Sequence, residues 1–470
     1  MTHHACPVEA AAARWTDHPG LIAETGSWTF GAWHERASRQ ATDLSAAGWR
    51  PGDRIGIIDT ATPDVAMLVT AALQANLVAC ITSPRWTPRQ LDQAMVTAGW
   101  RGLVAADGGP ASIDSVRPSA SIRSHAAGHL DTISGLATIL FSSGSTGLPK
   151  AIAHRHDAHW ASAAGACSNL PLRPGDRWLV SLSMSHVAGL GILFRCLHAG
   201  ATVVMPSSHS PLDRQLRDWQ PTHLSLVPTQ LKRLLDQGFD PPAGLKALLL
   251  GGAAIPPGLV TRAVSRGWPL MTTYGLTEMA SQVTATHPGA GRAELATSGH
   301  VLIGRELRIG DGGEILVRGS TLCEGFVRDG ILTAATDAAG WYHTGDIGHL
   351  DAAGNLCVTG RRDNLFISGG ENIYPEEIEG CLLELPEVRH ACVVAVSHPE
   401  YGHRPFAFVD AALIDSERLR AALAERLPKF KIPDAFAPWP VETPLKPHRP
   451  SMAMLAERLL AEMPRSKNPG

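Results

Sequence analysis

Through the first 250 residues, short β-branched runs alternate with alanine-rich stretches of helical period. RIGIID (54–59), an apolar helix at 65–75, LVACI (77–81), RQLDQAMVTAG (89–99) and GLVAAD (102–107) follow one another. This alternation predicts βαβ units around a mostly parallel sheet. It returns at RWLVSLS (177–183), ATVVMP (201–206), THLSLVPTQLKRLLDQ (222–237) and LKALLLGG (245–252). After about 300 the period changes. RELRIGDGGEILVRG (305–319) and GDIGHLDAAGNLCVTGR (345–361) alternate polar and apolar residues about glycine turns, as half-buried antiparallel hairpins do. Beyond RRDN (361–364) the pattern becomes compact α+β. YPEEIEGCLLEL (374–385) reads as a helix with Pro375 in its first turn, VRHACVVAVSH (388–398) as a strand and SERLRAALAERL (416–427) as a helix. A domain boundary is expected near Asp363, giving a large domain over 1–362 and a smaller one over 363–470.

Composition narrows the class. The chain has 470 residues, 44% hydrophobic and 18% charged, with a net charge of −3, so it can bury a sizeable core and is no obvious binder of nucleic acid. Eight cysteines are scattered without a CxxC pair, which argues against a disulfide framework or a zinc site and fits a reducing cytoplasm. The N-terminus lacks an unbroken apolar run, so no secretory signal is expected. The most apolar stretch, 65–81, contains Thr70, Gln74 and Asn76 and is short for a membrane span. It reads as a buried helix running into a strand. Self-association is left open.

The first chemical candidate is FSSGSTGLPKA (141–151). A Walker A loop needs GxxxxGK followed by Ser or Thr. Here Pro149 separates Gly147 from Lys150, the spacing from Gly144 is wrong, and Ala151 follows the lysine. What remains is a loop rich in backbone N–H and hydroxyl donors ending in a cation, suited to wrapping a polyphosphate. Taken alone, an exposed Ser/Gly hairpin turn accounts for it equally well.

Three long segments in order change that balance. SSGSTGLPKAIAHRH (142–156), TTYGLTEMAS (272–281) and HTGDIGHLDAAGNLCVTGRRDNLFISGGENIYPEEIE (343–379) resemble the phosphate, adenine–magnesium and ribose–hinge motifs of the adenylate-forming superfamily. That superfamily includes acyl- and aryl-CoA synthetases, and the resemblance implies a large N-terminal domain of two α/β subdomains plus a small β-barrel, then a mobile C-terminal domain. It implies ATP, Mg2+ and coenzyme A as cofactors and a two-step adenylation and thioester reaction. Under it, Ser142, Ser143, Gly144, Ser145, Thr146, Gly147 and Lys150 cradle the β- and γ-phosphates. Tyr274 and Gly275 lie by the adenine, with Gly251, Gly252 and Ala253 as its wall. Thr277 bonds the α-phosphate, Glu278 holds magnesium, Asp346 takes the ribose hydroxyls, and Arg361 contacts ribose and phosphate. Asp363 is the hinge, and Gly369 and Gly370 belong to the loop that the hinge swings to a pantetheine tunnel.

The C-terminal lysine motif departs from pattern. The family usually reads Pro-x-Thr-x-x-Gly-Lys-x-x-Arg, whereas VETPLKPHRPSMAML (441–455) keeps Lys446 and Arg449 at the right spacing but has Leu445 in place of glycine. The resemblance assigns Lys446 to bridging carboxylate and α-phosphate, with Lys429 and Lys431 as fallbacks. Within the superfamily, SMSHVAGLGILFRCLHAGATVV (183–204), THLSLVPTQLKRLL (222–235) and EYGHRPFAFV (400–409) resemble the o-succinylbenzoate–CoA ligases of menaquinone biosynthesis. Their substrate keeps a second carboxylate, so the pocket needs a cation or several donors. Arg195, a charge inside the apolar run GILFRCL, is the candidate, although a structural carboxylate could equally partner it. His186, as a catalytic or acyl-site histidine, and Ser225 complete the set. Another aryl or acyl acid, or loading of a carrier protein, stays open.

Overall fold

The computed structural model describes residues 6–105, 135–143, 149–207, 210–440 and 448–462. Contacts gather the chain into two compact units. One comprises Met1–Gly252, Ala263–Arg308 and Leu316–His343; the other comprises Ala253–Arg262, Ile309–Ile315 and Thr344–Gly470.

The first unit is built on two sheets. In a nine-stranded sheet, Leu270–Leu276, Ala247–Leu250, His223–Leu226, Arg177–Leu179, Thr202–Met205 and Pro19–Ala23 run parallel in that order. Its antiparallel margins are Ser281–Ala285 with His300–Val301 on one side and Gly26–Thr29 on the other. A seven-stranded sheet carries the parallel set Leu136–Ser143, Val78–Thr82, Arg54–Ile58 and Gly102–Ala105, extended antiparallel by Pro149–Arg155, Gly325–Arg328 and Ile331–Thr333. The expected βαβ alternation is therefore present.

The apolar stretch 65–81 folds as expected. Pro63–Gln74 is a helix buried from Val65 to Leu73, and Val78–Thr82 is a fully buried strand. Its polar residue Thr70 is satisfied: the hydroxyl donates to a carbonyl of the preceding turn and accepts the Trp33 indole N–H at 3.0 Å. No helix among the described residues is long and apolar enough to cross a membrane.

One expected strand is shorter than its pattern. RWLVSLS pairs only over Arg177–Leu179. Beyond it the serines bond elsewhere: Ser181 Oγ donates to the Ser225 carbonyl, and Ser183 Oγ donates to the buried Asp59 carboxylate at 2.5 Å. Side-chain competition of this kind ends a ladder and opens a loop.

In the second unit, Phe366–Ser368, Glu371–Ile373, His390–His398, Gly402–Asp410 and Ala435–Pro438 form a five-stranded sheet covered by the helices Pro375–Leu383, Ser416–Ala424 and Arg449–Glu462. Arg449 is clamped there by the Glu379 carboxylate at 2.7 Å and by Glu376 at 3.4 Å.

Candidate active site

The strand Leu136–Ser143 returns as Pro149–Arg155, with Ser142 opposite Lys150 across the ladder. Lys150 is exposed, its ammonium 5.9 Å from the Phe326 ring centroid. Gly144, Ser145, Thr146 and Gly147, like Lys446, lie outside the described residues.

The next strand to contribute is Leu270–Leu276, which ends in Tyr274, Gly275 and Leu276 before a single helical turn, Thr277–Met279. The chain then reverses through Ala280 and Ser281, both at positive φ (48° and 113°) without being glycine. Such residues persist only where surrounding bonds hold them, at a cost on the order of 1–3 kcal/mol each. Here Ser162 Oγ donates to the Ala280 carbonyl at 2.6 Å. Gly275 is required by closeness: a Cβ there would stand 2.1 Å from the Ser281 carbonyl oxygen.

Two side chains fix this turn. His154, fully buried on the strand Pro149–Arg155, lies with Nε2 2.6 Å from the Thr277 carbonyl oxygen. A carbonyl only accepts, so Nε2 carries the proton. Burial pushes the His154 pKa down to about 4, leaving the ring neutral near pH 7. Glu278 is buried, and the Tyr342 hydroxyl donates to its Oε1 at 2.9 Å.

The helix Val187–Ala199 begins at His186, which is exposed at its N-cap, and ends at Gly200. Arg195 on this helix is 3% exposed. Its Nη2 donates to Ser281 Oγ at 3.0 Å, and its guanidinium carbon lies 5.4 Å from the Trp178 ring centroid. Its Nε finds no partner, and no carboxylate of a described residue pairs with it. Burial pulls its pKa down to about 10, so it remains a cation. Ser225 Oγ, on the strand His223–Leu226, is also buried without a partner. A desolvated cation and a desolvated hydroxyl left unpaired are expensive unless a ligand completes them.

In the second unit, Asp346 and Arg361 face each other across the antiparallel pair Tyr342–Leu350 and Leu356–Arg361, with Arg361 Nη1 donating to Asp346 Oδ1 at 3.0 Å. Arg362 pairs with Glu314, which also accepts the Gly345 N–H at 3.1 Å. Asp363 is exposed, 3.9 Å from Arg361. Gly369 and Gly370 form the two-residue turn between Ser368 and Glu371, both at positive φ (58° and 89°), as a tight hairpin demands. Of the wall residues, Gly251 and Gly252 end the first unit's segment and Ala253 opens the second's. Lys431 is paired with Glu377 at 2.5 Å.

Three residues escape sequence reasoning. His154 sits in a strand buried on both faces, so no alternation marks it. Tyr342 reaches Glu278 across 64 residues and Ser281 reaches Arg195 across 86, with no local signal. Their only cue is position: His154 and Ser281 lie inside the quoted motifs.

Comparison with known proteins agrees. A model described as AMP-binding enzyme matches residues 8–327, and one described as AMP-binding enzyme C-terminal domain matches 377–446. The 2-succinylbenzoate–CoA ligase of Bacillus pumilus is 32% identical over 440 residues, 88% of this chain and 90% of its own length. That of Salmonella typhimurium is 43% identical over 308 residues, 65% of each. Among solved structures, o-succinylbenzoate CoA synthetase of Bacillus subtilis in complex with the acyl-adenylate intermediate OSB-AMP superposes with a TM-score of 0.84 at 28% identity, covering 95% of this chain and 97% of the other. The same enzyme with ATP and magnesium ion gives 0.83 at 27% identity, covering 95% and 98%. With the adenylate-forming fold and its ordered motifs, these matches place the chain in the AMP-binding enzyme family.

Proposed function

We propose that the chain is an ATP-dependent, AMP-forming o-succinylbenzoate–CoA ligase of menaquinone biosynthesis. A carboxylate oxygen of the succinyl arm attacks the ATP α-phosphorus and pyrophosphate leaves. The coenzyme A thiol then attacks the acyl carbonyl, giving up its proton as AMP departs. A carboxylate is a poor electrophile, so positioning and charge stabilisation at phosphorus are the protein's main work.

In this reading Ser142–Gly147 and Lys150 hold the outer phosphates, Thr277 the α-phosphate, and Tyr274 the adenine, with Gly275 and the 251–253 bend leaving room. Glu278 fits magnesium: with Oε1 taken by Tyr342, Oε2 is a hard oxygen ligand in a buried setting. Bound there, the ion supplies charge neutralisation for the phosphates. Asp346, already fixed by Arg361, offers its carboxylate to the ribose hydroxyls. Lys446 bridges carboxylate and α-phosphate, and His186 faces the acyl carboxylate. A swing at Asp363, between domains spanning 1–362 and 363–470, brings Gly369 and Gly370 to the thioester step. The need for ATP and coenzyme A fits the cytoplasm.

The observation that carries the acid specificity is Arg195, a buried cation with no carboxylate among the described residues. The aromatic carboxylate of o-succinylbenzoate supplies that partner, with Ser225 as a second donor. Pyrophosphate release across a panel of acids, followed by thioester detection with and without coenzyme A, tests this. Turnover with o-succinylbenzoate no higher than with benzoate or octanoate refutes it.

A further inference from the structure

A second cluster of chemistry-bearing side chains lies at the other end of the strand Ser281–Ala285. His287 follows that strand, Glu294 sits in the short helical turn Arg292–Leu295, and His300 opens the edge strand His300–Val301. At about 3.4 Å per extended residue, His287 stands about 20 Å along the chain from Ser281, outside the reach of Arg195 and Glu278.

One ligand atom from each of the three residues lies within 4.8 Å of the other two. Glu294 Oε1 accepts both the backbone N–H of His287 and its Nδ1, each at 2.8 Å. The two imidazoles stack with centroids 3.9 Å apart and planes 17° from parallel. His300 Nδ1 is buried and has no hydrogen-bond partner. The scaffold beneath is tight: a Cβ at Gly299, next to His300, would stand 2.0 Å from the Ala285 carbonyl carbon. Of the three, the His287 side chain is the most open to solvent, 61% exposed, so only its bond to Glu294 and its stack on His300 hold it.

We propose that His287, Glu294 and His300 form a binding site for Zn2+, distinct from the nucleotide-bound magnesium. Two imidazole nitrogens and one carboxylate are a borderline donor set that suits zinc and is poor for Mg2+ or Ca2+, which prefer oxygen alone. Zinc–nitrogen and zinc–oxygen bonds of about 2.0–2.2 Å set tetrahedral ligand atoms about 3.4 Å apart, so the Glu294–His287 pair, now at 2.8 Å, opens slightly and the whole set lies within reach. Imidazole lone pairs lie in the ring planes, and two near-parallel planes stacked with centroids 3.9 Å apart are poorly placed to share one ion, so His287 turns out of the stack to meet it. If Nδ1 becomes the His287 ligand atom, the ring proton that faces Glu294 moves to Nε2 by tautomer exchange, freeing the Nδ1 lone pair for the metal. A solvent molecule fills the fourth position. The bound ion staples the 287–294 turn to the sheet's edge strand and takes no part in the ligase chemistry.

The test is calorimetric titration of the chelator-treated full chain with Zn2+ alone, with circular dichroism and pyrophosphate release as fold controls. One equivalent should bind and raise the thermal midpoint. His300→Ala and Glu294→Gln should weaken that binding at least 30-fold while keeping the wild-type spectrum and ligase activity. Should His300→Ala not fold, the exposed His287→Ala gives the same readout. Zinc affinity within threefold of wild type in any folded variant of the three, or no zinc binding to wild type below millimolar concentrations, overturns the proposal.

Discussion

Two buried arginines of the first unit carry similar charges in opposite settings. Arg305 is 6% exposed and Arg195 is 3% exposed, and burial pulls each pKa down to about 10. Arg305 spends its fork on the protein: Nε donates to the Gln282 carbonyl at 2.9 Å, Nη1 to that of Ile303 at 2.7 Å, and Nη2 to both the carbonyl and the hydroxyl of Ser162 at 3.1 Å. Gly165 exists for it, since a Cβ there would stand 2.0 Å from Nη1. Arg195 has one hydroxyl, one aromatic face and an unpaired Nε. The first is a structural fastener. The second is a buried cation with donors to spare, which the proposed function assigns to an anion that is not part of the fold.

The sharpest break in this comparison comes from removing the fastener. Arg305→Ala strands several buried carbonyl acceptors, each costing about 1–3 kcal/mol. The variant should be insoluble or lose at least about 3 kcal/mol in thermal or urea denaturation, with no change in acid preference in any soluble fraction. Arg195→Gln should instead leave the thermal midpoint unchanged or higher, because a desolvated charge is removed. Its kcat/KM for o-succinylbenzoate should fall about 100-fold, in line with ~3 kcal/mol for an unpaired buried partner.

A somewhat smaller effect separates binding from chemistry. Tyr342→Phe frees Glu278 Oε1 and should raise the magnesium requirement of pyrophosphate release about tenfold, leaving thioester formation from supplied acyl-adenylate unchanged. A pH-dependent effect concerns His154. Its folded pKa of about 4 lies below the ordinary 6.5, so between those values the unfolded chain takes up a proton that the folded chain refuses. Stability therefore falls as pH drops from about 6.5 towards 4, by up to about 3 kcal/mol from this group. His154→Asn should flatten that slope by about one proton without abolishing it, since burial lowers His159 and His223 in the same direction. Denaturation midpoints across this pH range decide it.

The alternation of strands and helices was legible because the parallel strands of both sheets are short, largely apolar runs. Arg195 was legible for the opposite reason, as a charge interrupting such a run. The serines after Leu179 misled because their apolar neighbours imply a strand, while their hydroxyls bind Asp59 and the Ser225 carbonyl, far off in sequence. Tyr342 on Glu278 and His154 on Thr277 were invisible to pattern, since each contact joins strands of different sheets or distant segments. Whether Arg195 was fastener or reserve could not be read from its helix either; its unpaired Nε and single hydroxyl acceptor distinguish it from Arg305, whose fork is filled by carbonyls and a hydroxyl.

The most direct test compares o-succinylbenzoate with 4-oxo-4-phenylbutanoate, which lacks only the ring carboxylate, in wild type and Arg195→Gln. Pyrophosphate-release kcat/KM should favour o-succinylbenzoate about 100-fold in wild type, and this preference should collapse to within about threefold in the variant. A variant that still discriminates as strongly as wild type would contradict the assignment of Arg195 to the second carboxylate.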